Sequence, residues 1–136
     1  MIVFERPVRF QDVDPAGIVF FAHFATYAHE AMEAFFDPID GGYADLIMRR
    51  RVGFPAVKVE TEHFAPLRYG DVVRIETSVS RLGNKSAQFR YRFQCRGQRV
   101  AEVLHTVVIT DLDRMESREM PEDVRAILVA HTEDAS

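Results

Sequence analysis

The chain has 136 residues, 47% of them hydrophobic and 28% charged, which fits one globular domain and excludes a disordered segment. A formal net charge of −4 weighs against nucleic acid as a partner, because such proteins usually carry a basic surplus. One cysteine, Cys95, cannot build an intrachain disulfide framework, and no run of about 18 apolar residues is present to span a bilayer, so a protein of the reducing cytoplasm is expected.

The first predicted element is a strand from Ile2 to Phe10, rich in Val, Ile and Phe, with Pro7 better suited to a sheet edge than to a central ladder. Gln11 to Gly17 is turn chemistry, with two carboxylates, Asp12 and Asp14, ahead of Pro15 and Gly17. A long helix is predicted from Phe21 to Phe36. Phe21, Phe24, Ala25, Ala28, Met32, Phe35 and Phe36 recur at helical spacing, while His23, Tyr27, Glu30 and Glu33 are expected on the other side. Asp37-Pro38 ends it.

A short helix is expected over Tyr43 to Arg51, closed by Arg49, Arg50 and Arg51, whose charges suit a helix C-terminus. From Ala56 the apolar period becomes two. Val57, Val59 and Thr61 alternate with Lys58, Glu60 and Glu62, which predicts a strand with one wet face. Strands follow over Val72 to Leu82, Ser86 to Cys95 and Val100 to Thr110, with turns at Gly83-Asn84 and Gly97-Gln98. Pro121 opens a last helix with Val124, Ile127 and Leu128 on its apolar face, and the tail from Thr132 to Ser136 is expected to fray. Hairpin-linked strands and one long apolar helix define an α+β fold over a single domain, residues 1–136. It has an antiparallel sheet with the helix laid across one face. A domain this small encloses a large ligand poorly by itself, so a homodimer is expected.

Asp14 precedes the start of the long helix by one tight turn. A helix start offers unpaired N–H groups and partial positive charge, which suit a developing oxyanion, and a carboxylate beside it can attack a carbonyl or activate water. Asp is also a common capping residue, so the spacing alone leaves a structural role open. Asp12 reads as support for the loop by hydrogen bonds, or as a like charge acting on Asp14 if the two approach. Gly17 supplies a positive φ or a close backbone approach to a ligand. The helix histidines lack metalloprotease spacing, since Glu33 stands four residues after His29, so no metal is expected. Among the cations that could meet phosphate, Lys85 in the hairpin stands ahead of Arg49, Arg50, Arg51 and Arg68.

Phe10-Gln-Asp-Val-Asp-Pro-Ala-Gly-Ile-Val-Phe-Phe21 before a long helix resembles the 4-hydroxybenzoyl-CoA thioesterase family of hotdog-fold proteins, which includes the Tol-Pal-associated thioesterases. The likeness continues through Val59 to Asp71, Gly83 to Ser86, Ala101 to Val103 and Met120-Pro121. It implies a five-stranded antiparallel sheet wrapped around the central helix, and a homodimer, often paired into a homotetramer, with active sites at the subunit interface. It implies hydrolysis of an acyl-CoA or aryl-CoA thioester with no separate cofactor. Asp14 takes the place of the catalytic carboxylate, acting as nucleophile or general base. Phe21 takes that of the residue whose backbone N–H polarises the carbonyl. Lys85 and Ser86 match a loop that contacts the CoA portion. His29 stands at the helix position that meets a ring hydroxyl in the hydroxybenzoyl enzymes, which leaves the acyl group open between aryl and short-chain. His23, Phe54 and His63 are further candidates for the substrate pocket. The rival readings are an acyl-carrier-protein thioesterase, a non-catalytic acyl-CoA-binding protein, and a dehydratase or hydratase, the last lacking its usual Asp-His or Glu-His pair.

Overall fold

Five strands form the main sheet of the computed structural model, which describes residues 1–133. They are β1 (Ile2–Pro7), β3 (Ala56–His63), β4 (Val72–Leu82), β5 (Ser86–Cys95) and β6 (Gln98–Val108), in the spatial order β1-β4-β5-β6-β3 and antiparallel throughout. β1 is an edge strand, where the missing N–H of Pro7 costs no central ladder bond. Three two-residue strands, β2 (Val52–Gly53), β7 (Thr110–Asp111) and β8 (Glu116–Ser117), make a second small sheet. Runs this short carry no periodicity, so the sequence shows only the break around Gly53. A Cβ on Gly53 would run into the Leu112 side chain.

The long helix α1 spans His23–Phe35 and buries Phe24, Tyr27, Ala28, Ala31, Met32 and Phe35. Its inner face meets the middle of the sheet: the Phe24 ring lies 5.4 Å from Phe93, and the Phe35 ring 5.4 Å from Phe89. Two expectations change here. Tyr27 belongs to the buried stripe, fully covered, whereas Phe21 is 69% exposed and Ala25 is exposed. The Tyr27 hydroxyl has a buried acceptor in Asp12, so the phenol can enter the core without an unpaired polar group. The helix also begins two residues later than the apolar pattern suggests, because Phe21 and Ala22 belong to the turn that feeds it.

β1 stops at Pro7 and is followed by a 3-10 turn, Phe10–Asp12. Helix α2 covers Gly42–Met48, and α3 covers Glu122–Ala130 with Val124 and Leu128 buried. The β5–β6 turn falls on Arg96-Gly97, both with positive φ, one residue before its predicted place. All eight residues of β3 are exposed, so it lacks the single wet face expected of it: this edge strand pairs only with β6. The chain end is better held than expected. Thr132 bridges to Val79, and Glu133 accepts from Ser78 Oγ at 2.9 Å and Arg90 Nε at 2.7 Å. Of the tail expected to fray, residues 134–136 lie outside the described residues.

Candidate active site

Asp14 sits at the head of a small hairpin. Its N–H donates to Ile18 O at 2.9 Å, and its carbonyl accepts the Gly17 N–H at 2.9 Å. Asp, Pro and Gly at the first, second and fourth positions are favoured by such turns. One carboxylate oxygen of Asp14 also accepts the Ala16 N–H at 2.9 Å. Gly17 has φ +81°, and a Cβ placed there would meet nothing within 4 Å. The glycine therefore answers a conformational demand of the turn, and crowding plays no part.

The returning strand of this hairpin leads straight into α1. Val19 N–H donates to Leu67 O at 2.8 Å and Phe20 N–H to Asp12 O at 3.1 Å. The carbonyls of Phe20 and Phe21 accept from His23 and Phe24, which turns the chain into the helix. The N–H groups of Phe21 and Ala22 have no acceptor among the described residues. They lie at the N-terminal, positive end of α1, where a partial negative charge is stabilised.

Asp14 and Phe21 line one cleft of about 480 Å³. Its other walls come from Ile18, Val19, Phe20 and Phe24 on one side and from His63 to Leu67 on the other. Phe20 and Phe64, both 44% exposed, leave apolar rings standing at solvent beside a carboxylate. A large exposed aromatic cluster of this kind marks a binding surface more often than an accident of packing.

Of the residues singled out in the sequence, Asp14, Phe21 and His63 meet at this cleft, with Gly17 in the turn behind Asp14. His23 lies alongside, its ring 6.2 Å from that of Phe20. The other four do not face it within one chain. Phe54 is buried and stacked on Phe36 at 5.0 Å. His29 borders a separate hollow of about 190 Å³ with Val59 and His105. Lys85 and Ser86 sit at the β4–β5 hairpin, Lys85 exposed and Ser86 on a small hollow with Gln88 and Thr106. His105, bonded through Nδ1 to the Tyr91 hydroxyl at 3.1 Å, is held below the usual histidine range by burial and then by His29. The three consecutive arginines are each engaged: Arg49 with Asp45 at 2.6 Å, Arg50 with Asp123 at 2.7 Å, and Arg51 with Asp113 at 2.9 Å.

Arg6 and Tyr27 are partners of Asp12 that the reading of the residues alone does not identify. The Asp12 carboxylate is 2% exposed, and its Oδ2 accepts from Tyr27 Oη at 2.7 Å, Arg9 N at 2.9 Å and Arg6 Nη1 at 3.1 Å. Arg6 Nε donates to Glu30 Oε2 at 2.8 Å, and its guanidinium stands 4.7 Å from the centre of the Tyr27 ring. Burial alone would raise the pKa of Asp12. The Arg9 N–H, the Tyr27 hydroxyl and Arg6 outweigh it and hold the carboxyl below its ordinary range. Burial, and then the bond to Asp12, push the Tyr27 hydroxyl well above the usual phenol value. The available signal was Tyr27 itself, which falls three residues after Phe24 and four before Ala31 and so continues the apolar stripe.

Residues 8–128 match the profile of the thioesterase-like superfamily. The chain belongs to that superfamily. As an enzyme this thioesterase is a thioester hydrolase, in keeping with the names of its relatives. It is 27% identical over 132 residues to the 1,4-dihydroxy-2-naphthoyl-CoA hydrolase of Nostoc punctiforme, a match covering 97% of this chain and 89% of that one. It is 33% identical over 99 residues to the enzyme of the same name from Synechococcus elongatus, covering 72% and 73% of the two chains. Among solved structures, a thioesterase-superfamily protein from Jannaschia sp. CCS1 superposes with a TM-score of 0.91 at 29% identity, over 98% of this chain and 94% of that one. A gentisyl-coenzyme A thioesterase superposes at 0.84 with 30% identity, over 91% and 99%.

Proposed function

We propose that this thioesterase hydrolyses an aryl-CoA or acyl-CoA thioester to the free acid and CoA. The observation that carries this reading is that Asp14 and Phe21, whose N–H has no acceptor among the described residues, line one apolar cleft. The thioester carbonyl oxygen takes the Phe21 N–H at the positive end of α1, so charge that develops on it is met by a fixed donor. Asp14 attacks the carbonyl carbon, the C–S bond breaks, and CoA leaves as a thiolate that takes up a proton. Water then cleaves the resulting mixed anhydride and restores the carboxylate. In the other form of the mechanism Asp14 accepts a proton from water, and that water makes the attack.

The 1,4-dihydroxy-2-naphthoyl-CoA hydrolases and the gentisyl-coenzyme A thioesterase are named for aromatic acyl-CoA thioesters, and the cleft wall of Phe20, Phe21, Phe24 and Phe64 suits a flat ring. His63, at the end of β3, lines the same cleft, with His23 beside it. The test is a panel of hydroxybenzoyl-, dihydroxynaphthoyl-, benzoyl- and short-chain acyl-CoA thioesters, with acyl-carrier-protein thioesters in parallel, read by a thiol-trapping dye. Aryl-CoA substrates are expected to turn over fastest. Release from the carrier-protein thioesters alone, or from none, overturns this reading.

The working unit in this reading is a homodimer joined along β3, with dimers able to pair further. An eight-residue edge strand with Val57 61% and Val59 49% exposed presents unpaired backbone groups and apolar side chains to a second copy. A partner there would meet the hollow that His29 borders beside Val59. Sedimentation velocity at micromolar concentration is expected to return twice the chain mass for wild type and a monomer for Val59→Lys. A monomeric wild type sinks the shared-site arrangement.

A further inference from the structure

We propose that Asp12 is the positioning residue of this site, and that Arg6 and Tyr27 act through it. The inference rests on Asp14 and the Phe21 N–H being the reacting parts. Those two groups lie on opposite strands of the small hairpin, and Asp12 joins the strands. Its main-chain oxygen receives the Phe20 N–H at 3.1 Å, one residue before Phe21. Its own backbone runs through Val13 to Asp14. The distance between carboxylate and N–H donor therefore depends on where Asp12 is held.

Its side chain is held from two directions. Tyr27 Oη, one turn inside α1, ties it to the helix, and Arg6 Nη1 ties it to β1. Arg6 is 5% exposed and links onward to Glu30, on the same helix one turn further along. A buried ion pair is weak evidence for stability, because stripping water from both charges offsets most of their attraction. Apolar residues of like volume would fill this space at no loss of core. What they could not do is fix the direction of the loop, since packing is non-directional and hydrogen bonds at 2.7 to 3.1 Å are not. An error of about 1 Å between reacting groups is enough to lower a rate by about a hundredfold.

Tyr27→Phe keeps the ring in place and removes only the hydroxyl. Its kcat is expected to fall by about tenfold or more with KM within about twofold, since the lost interaction bears on the reacting geometry and leaves the cleft walls unchanged. In an Asp14→Asn background the same change is expected to cost nothing further. Asp12→Asn, which keeps an acceptor oxygen for Tyr27, is expected to retain more activity than Asp12→Ala. Urea unfolding of each variant separates these effects from loss of fold. A Tyr27→Phe enzyme that is less stable but keeps its kcat overturns the proposal. So does an equal loss of rate with and without Asp14, or equal rates for Asp12→Asn and Asp12→Ala. A wild-type rate for Asp14→Asn alone is read separately: it removes the catalytic reading, and this inference with it.

Discussion

Asp14→Asn is expected to lower kcat for thioester hydrolysis by about a thousandfold or more, within the range seen when a reacting carboxylate or a nucleophile is removed. The substitution is nearly isosteric. The bond from the Ala16 N–H to the side-chain oxygen, 2.9 Å in the native loop, can be kept by the Asn carbonyl. The turn closed by Asp14 and Gly17 uses main-chain groups alone, so it survives the change. Loss of activity in a folded Asp14→Asn enzyme therefore reports chemistry. The measurement is steady-state thiol release for wild type and variant on the best aryl-CoA substrate, and equal rates would end the assignment. The two forms of the mechanism separate in heavy-oxygen water. A nucleophilic Asp14 whose anhydride is opened by water at the Asp14 carboxyl carbon gains label in its own carboxylate over repeated turnovers, found by mass spectrometry of the peptide that carries it. A general base gains none.

Phe89→Ala is expected to destabilise the fold by about 3–5 kcal/mol, the usual cost of removing a fully buried phenylalanine. Phe89 is completely buried at the centre of β5, with ring centres of Phe35 at 5.4 Å, Tyr91 at 5.9 Å and Phe36 at 6.2 Å. No neighbour can close the space without leaving its own partners, so a cavity remains and the loss exceeds simple transfer of the ring to water. A domain with a total stability of about 5–15 kcal/mol would lose about a fifth of it or more. Urea titration followed by circular dichroism reads the shift in midpoint. A loss below about 1 kcal/mol would mean that the core repacks around the gap, and would refute the rigid aromatic centre described above.

Where local chemistry decides the structure, the chain was readable from its residues. Asp37-Pro38 marks the end of α1, the Gly83-Asn84 turn joins β4 to β5, and Pro121 stands before α3, all set by backbone preferences that act over a few residues. The same holds for the turn that carries Asp14. What was not readable depends on contacts between distant parts of the chain. Tyr27 reads as outward-facing because a phenol is ambiguous until its acceptor is known, and that acceptor lies 15 residues away. Arg6 carries no signal of its own, because a charged residue in an edge strand is ordinarily exposed, and only the fold brings Glu30 and Asp12 around it. The lone exposed face expected of β3 failed for a related reason, since a strand with good alternation does not reveal whether anything covers it. His63 came to the cleft through the same long-range assembly, while Phe54 went into the core.

The strand order carries a cost in time. β1 pairs with β4, and β3 pairs with β6, so each edge strand is synthesised well before the strand that will receive it. The hairpin bearing Asp14, the start of α1 and the His63 wall all leave the ribosome ahead of β4, β5 and β6. Until those later strands emerge, the early segments have no sheet to lie on, and their apolar side chains stay open to water and to other chains. Pairings this far apart in sequence close slowly compared with those of helical domains. The parts of the proposed site are thus encoded in the first half of the chain and held in place by the second, and a nascent chain assembles them only once the frame behind it is complete.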